Sequence, residues 1–190
     1  MYRFLCTLLG AFMHLLFRIE VKGEENIPED GGVILCANHI SNWDPVLLQI
    51  ISKRHIYYMS KDDLFHVFFV GFVLKKIGAI PGKRTGSDLT AIKQAFKTVQ
   101  SGRILGIFPT GQREKVKGEG EVKAGVGLIA GKTKAPVLPI HISANFKPFS
   151  KVVVNIGKCE VFAPEDGQKL SVEVAEDFSR EIYKRIKDLA

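Results

Sequence analysis

With 190 residues, 46% of them apolar and 25% charged, the chain is sized for one globular domain burying roughly 70% of its unfolded surface, not for a fibrous or disordered protein. Its formal net charge of +7 leans towards anionic partners (a nucleic acid, an acidic lipid surface or a phosphorylated substrate), although a merely soluble basic surface would look the same. Cys6, Cys36 and Cys159 are few, odd in number and far apart, which argues against a disulfide framework or a zinc site and fits a reducing compartment.

Residues Met1 to Phe17 are almost wholly apolar. Arg3, Thr7, Gly10, His14 and Arg18 interrupt them at helical spacing, as one narrow polar stripe. Such a helix is about 26 Å long, a little short for the ~30 Å hydrocarbon core of a bilayer. No small-residue cleavage site follows it, so a removed signal peptide is not expected. The stretch therefore predicts an amphipathic, membrane-associating helix over residues 1–21, lying in the interface with Arg3 and Arg18 at its polar edge. A helix packed on the core is the plain alternative. Residues 22–190 form the single domain, and Glu24 to Gly32 read as a linker into it.

Val33-Ile34-Leu35-Cys36-Ala37, flanked by Asp30-Gly31-Gly32, reads as a buried strand. Cys36 within it is expected to be a packed core thiol. Asp44-Pro45 opens a helix to about Ser52, with Asp44 as cap and Pro45 at the first helical position. Between them run Asn38-His39-Ile40-Ser41-Asn42-Trp43. On one helix His39 and Asp44 would point apart, but across a tight loop they can meet. The carboxylate would then orient the imidazole and stabilise its protonated form.

Ile56 to Met59 reads as a strand, and the apolar segment from Leu64 to Leu74 as either a buried helix or a second membrane-facing surface. Ala79-Ile80-Pro81 is a short strand followed by the basic loop Gly82-Lys83-Arg84. Ser87 caps a helix whose core face carries Leu89, Ile92, Phe96 and Val99. Ile104 to Phe108 is a strand, and Pro109 to Val122 a polar loop. Lys123-Ala124-Gly125 opens a short helix to about Lys134, Pro136–Ile142 and Val152–Ile156 are strands, and residues 171–189 form a last amphipathic helix. Val174, Phe178, Ile182 and Ile186 face inward on it. Alternation of this kind predicts an α/β fold, a mixed central sheet flanked by helices.

Two motifs can be set aside. Gly131-Lys132-Thr133 resembles the end of a phosphate-binding loop, but Val126 stands where that loop needs glycine, and a strand follows it instead of preceding it. No Gly-x-Ser-x-Gly elbow is present, so a serine hydrolase of the α/β type has no visible nucleophile. The basic residues are scattered without a recognition motif, and no nucleic-acid partner is expected.

Four blocks occur in order: Asn38-His39 with Asp44, Gly78 to Arg84, Phe108-Pro109-Thr110-Gly111-Gln112-Arg113, and Val137-Leu138-Pro139-Ile140. In that order and spacing the chain resembles the glycerolipid acyltransferases, nearest to the 1-acylglycerol-3-phosphate acyltransferases, over roughly residues 22 to 145. That family carries His-x-x-x-x-Asp, an arginine after a short strand, Phe-Pro-Glu-Gly-Thr-Arg and a Val-Pro-Ile-like strand. Lys123-Ala124-Gly125 matches its Lys-x-Gly. The resemblance implies an acyltransferase domain at 22–190 with His39 and Asp44 catalytic. It implies Arg84 and Arg113 on the acceptor phosphate, with Asn38, Lys123, Thr110 and Gly111 as further candidate substrate contacts. No metal or cofactor is implied beyond an acyl-CoA or acyl-carrier-protein co-substrate. The implied partners are a phospholipid membrane surface, on its cytoplasmic side, and a lysophospholipid. Thr110 and Gln112 stand where the family has Glu and Thr, which leaves the acceptor open.

Overall fold

A computed structural model of the chain describes residues 2–62, 66, 78–82, 89–113, 121–163 and 169–190. Their strands are β1 (Arg18–Lys22), β2 (Val33–Ala37), β3 (Ile56–Lys61), β4 (Ile80–Gly82), β5 (Ile104–Ile107), β6 (Val137–Ala144) and β7 (Lys151–Ile156). Their helices are α1 (Tyr2–Leu16), α2 (Asp44–Ile51), α3 (Leu89–Gln100), α4 (Gly125–Thr133) and α5 (Val172–Asp188). The expected apolar segment Leu64 to Leu74 (apart from His66), the Ser87 cap and Arg84 lie outside the described residues.

The strands form one sheet in the order β1-β7-β6-β2-β5-β3-β4. β2 sits at its centre, parallel to both β5 and β6. Every β2 residue is buried, because helices cover both faces, and this is why the strand reads as an unbroken apolar run. Val33, Leu35 and Ala37 pack on one side with Met13 and Phe17 from α1 and its end and Leu47 and Leu48 of α2. Ile34 and Cys36 pack on the other with Ala91, Ala95 and Val99 of α3, Val126 and Ile129 of α4, and Ile182 and Ile186 of α5. The predicted α/β fold, a mixed central sheet flanked by helices, is what forms. Within α3 the buried face is turned by about one position, onto Ala91, Ala95, Thr98 and Val99, leaving Ile92 and Phe96 half-buried. Alanine lets that helix approach the sheet more closely than a larger residue would.

The amino-terminal helix is shorter than expected. It ends at Leu16, and Arg18–Lys22 is instead an edge strand running parallel to β7, so a boundary at residues 21 and 22 would cut through β1. Glu20 explains part of this, since its carboxylate meets Lys151 of β7 at 2.7 Å. Nor does the polar stripe hold along α1. Gly10 turns towards Ile50 of α2 and Arg18 has left the helix, whereas Leu8, Phe12 and Leu15 are exposed. No helix among the described residues is long and apolar enough to cross a membrane.

Chain direction decides where chemistry can sit. β2, β3, β4, β5 and β6 run the same way, so their carboxyl ends share one edge of the sheet. From β2 the chain moves out to β3, while β5 connects back across β2 to β6. A crevice outside the carboxyl end of β2 is where parallel sheets of this type bind ligands.

Candidate active site

His39 leaves the carboxyl end of β2, and its Nδ1 lies 2.8 Å from Oδ2 of Asp44. The same oxygen accepts the backbone N–H groups of Ile40 at 2.7 Å and Ser41 at 2.8 Å. Asp44 was expected to cap its own helix, and here the structure corrects the sequence. Trp43 holds the cap position with no side-chain bond, and the Asp44 carboxylate turns back to gather the loop before it. The Asp44 side chain is fully buried, whereas that of His39 keeps 16% of its surface exposed. A carboxylate at Nδ1 selects the tautomer with its hydrogen there and leaves Nε2 with the lone pair. The pair is a partly exposed imidazole held at Nδ1 by a buried carboxylate.

An aromatic stack packs against that imidazole. Phe108, which follows β5, stacks on the His39 ring with centroids 4.1 Å apart, and Tyr58 of β3 lies nearly parallel beyond it at 6.1 Å. Gly106 makes room for Tyr58, since a Cβ there would overlap its ring. Asn38 is buried, and its amide spans one residue of β6: Nδ2 donates to the carbonyl of Ile142 at 2.9 Å, and Oδ1 accepts the N–H of Ile142 at 2.7 Å. Backbone pairing of β2 with β6 stops at Ala37 and Ile140. The Asn38 side chain thus stands in for a missing peptide of β2, and the main chain is free to leave the sheet at His39. Sequence placed Asn38 among substrate contacts; its described bonds go to the fold.

The third block follows β5 at the same edge. Gly111 takes a left-handed backbone, φ +65°, which favours glycine, and its N–H closes the turn on the Phe108 carbonyl at 2.9 Å. Thr110 is buried, with its hydroxyl donating to the carbonyl of Gln112 at 2.7 Å. Lys123 joins this turn twice. Its N–H bonds the Pro109 carbonyl at 3.1 Å, and its Nζ passes 3.8 Å from where a Cβ on Gly111 would stand. Arg113 is exposed at the end of the turn. β4 ends at Gly82 on this edge, while Arg84 beyond it is not described.

Two of the three thiols are made poor nucleophiles by burial. Cys36 is fully buried, which pushes its thiol far above the usual range, and burial also raises that of the half-buried Cys159. Among the described residues no group of three or more His, Cys, Asp or Glu side chains is gathered that could hold a metal ion.

Comparison with known proteins bears on the same stretch. A family model described as Acyltransferase matches residues 18–143. The 1-acyl-sn-glycerol-3-phosphate acyltransferase of Bacillus subtilis is 36% identical over 141 residues, covering 73% of this chain and 69% of that protein. Its counterpart in Borreliella burgdorferi is 32% identical over 139 residues, covering 72% of this chain and 56% of that protein. The crystal structure of the 1-acyl-sn-glycerophosphate (LPA) acyltransferase PlsC from Thermotoga maritima superposes with a TM-score of 0.73. It covers 98% of this chain and 80% of that one at 24% identity, a likeness of fold.

Proposed function

The chain belongs to the acyltransferase family, and from that premise we propose that it moves a fatty acyl group from a thioester, acyl-CoA or acyl-carrier protein, to the 2-hydroxyl of lysophosphatidate, giving phosphatidate. The observation that carries this reading is the 2.8 Å pair of His39 Nδ1 and Asp44 Oδ2 at the carboxyl end of β2. A thioester is already activated, so a base and an oxyanion site suffice and no covalent enzyme intermediate is needed. His39 Nε2 takes the proton of the acceptor hydroxyl as its oxygen attacks the thioester carbon, an effect typically worth ~10²–10⁴ in rate. Asp44 compensates the positive charge on the ring. The tetrahedral oxyanion then collapses, the carbon–sulfur bond breaks, and the thiolate recovers the proton from His39.

Arg84 and Arg113 hold the acceptor phosphate in this reading, as planar guanidinium groups suit that task. Lys123, drawn in against the third-block turn, adds a cation to the same anionic site. Exposed Leu8, Phe12 and Leu15 on α1 support contact with the phospholipid surface that holds the acceptor. The three free cysteines suit the reducing, cytoplasmic side of that membrane.

A second reading keeps the chemistry and changes the acceptor to another lysolipid or alcohol. It rests on Thr110, buried and committed to the Gln112 carbonyl where the family has a carboxylate. Purified protein given lysophosphatidate and a long-chain acyl-CoA, followed by free thiol release, tests both when other acceptors and an acyl-carrier-protein donor run alongside. Turnover absent from His39→Ala is expected. No turnover above that control with any pair would leave a membrane-bound lipid-binding protein.

A further inference from the structure

The described exposed apolar residues are not evenly spread. Leu8, Phe12 and Leu15 lie on α1, Trp43 in the His39 loop, and Phe149 in the loop joining β6 to β7, while Val161, Leu170 and Val172 lie apart from these, after β7 and up to the start of α5. Sequence offered α1 as a membrane element but gave no reason to single out residues 145–150. The backbone supplies one. The N–H of Phe149 bonds the carbonyl of Leu16 at 2.6 Å, and the N–H of Arg18 bonds the carbonyl of Ser150 at 2.9 Å, so this loop is fastened to the end of α1. Phe146 packs edge-on against Phe17 at 5.6 Å and anchors the loop from within. Phe149, 69% exposed, then stands beside the end of the helix where Leu15 is 71% exposed.

Phe146 and Phe149 both take left-handed backbone, with φ of +49° and +63°. That conformation is unfavourable for an aromatic residue and persists where the surroundings impose it. Here it keeps one phenyl ring inside and the other outside. Topology decides which edge the outer ring occupies. β7 runs antiparallel to β6, so the loop between them, the start of β1 and the end of α1 all lie at the carboxyl edge of β2 and β6, the edge of His39. Trp43, within the loop that Asp44 gathers, meets Phe12 of α1 with ring centroids 6.4 Å apart. Arg18 and Lys147 are exposed around the β6–β7 loop and set a cationic rim beside its aromatic tip, whereas nearby Lys151 is paired with Glu20.

From this arrangement we propose that the β6–β7 loop is a second membrane contact. Phe149 inserts among the acyl chains of an anionic bilayer while Lys147 and Arg18 meet its headgroups, so that the bilayer lies against the catalytic edge. An anionic lipid surface is the occupant that matches both halves, an apolar tip and a basic rim. The proposal rests on the functional reading above, in which the acceptor is a lipid that must pass from bilayer to His39.

Binding to phosphatidylcholine vesicles, with and without added phosphatidylglycerol, tests it. Asparagine tolerates the left-handed backbone, so Phe149→Asn removes the ring without new strain. It is expected to weaken partition on the order of tenfold, and Lys147→Gln to weaken it only when phosphatidylglycerol is present. As a direct probe, Phe149→Trp in a Trp43→Phe background places the only tryptophan at the tip. Its emission should shift to the blue on adding vesicles and be quenched by brominated acyl chains. Unchanged emission, or Phe149→Asn binding as well as the parent, would overturn the proposal. Turnover of short-chain, monomeric substrates is expected to be unaltered in Phe149→Asn. If the parent itself turns over nothing while the tryptophan still inserts, the catalytic reading fails and the docking surface stands.

Discussion

Oδ2 of Asp44 takes three donors at once, the imidazole and the N–H groups of Ile40 and Ser41. The carboxylate therefore shapes the loop and, in the proposed mechanism, also compensates the charged ring. Asparagine separates these tasks, because its carbonyl oxygen can keep the two backbone bonds without supplying a negative charge. Asp44→Asn should lower kcat by about 10²–10⁴ with little change in melting temperature, whereas Asp44→Ala should lower both. Asn38 bonds Ile142 of β6 at the point where the chain leaves β2 for His39. Asn38→Ala leaves the N–H and carbonyl of Ile142 unpaired and lets the loop leave β2 at a different place. A base displaced by about 1 Å costs on the order of 10² in rate, so kcat should fall at unchanged KM. A raised KM at unchanged kcat would instead return Asn38 to the substrate contacts. The pairing of His39 with Asp44 could be read from the sequence because both partners lie in one short loop. The tasks of Asn38 and Phe108 could not, since their partners, Ile142 and His39, come from distant parts of the chain.

At the scale of elements the same division between local and distant holds. β2 and β6 announce themselves as apolar runs because both faces are covered. β1, Arg-Ile-Glu-Val-Lys, alternates polar and apolar residues at strand period, but five residues directly after a long apolar run are too short a signal to separate it from the helix. Glu24 to Gly32 looked like a linker, yet Arg54 organises its end. Its guanidinium donates to the carbonyls of Pro28 at 2.9 Å, Asp30 at 3.0 Å and Gly31 at 2.5 Å, and across to Gly102 at 2.6 Å. Arg54→Ala should destabilise the fold by about 2–3 kcal/mol, seen in chemical denaturation, and Arg54→Lys should recover only part of it. Gly106 links an element to the site. In Gly106→Ala the new methyl group overlaps the Tyr58 ring, and any shift passes along the stack through Phe108 to His39. Overpacking of this kind typically costs about 1–3 kcal/mol, so the melting temperature should fall and activity measured well below it should fall as well.

For the molecule as a whole, the arrangement of α1 determines how membrane contact can be tested. Deleting residues 1–17 looks like removal of an anchor, but Met13 and Phe17 are core residues beneath the sheet, packed with Val33, Leu35 and Leu47. The truncated chain should therefore lose cooperative unfolding or aggregate, and its failure to float with vesicles would say nothing about lipid. Leu8 and Leu15 share the helix with Met13 but face solvent. Leu8→Ser with Leu15→Ser should leave the melting temperature nearly unchanged, as exposed substitutions generally move stability by within about 0.5 kcal/mol each. The same pair should weaken flotation with anionic vesicles, and adding Phe149→Asn should weaken it further, because the proposal sets α1 and the β6–β7 loop against one surface. A triple variant that melts like the parent and floats like it would show that this face does not touch the bilayer. The catalytic edge would then have to receive its lipid from another side.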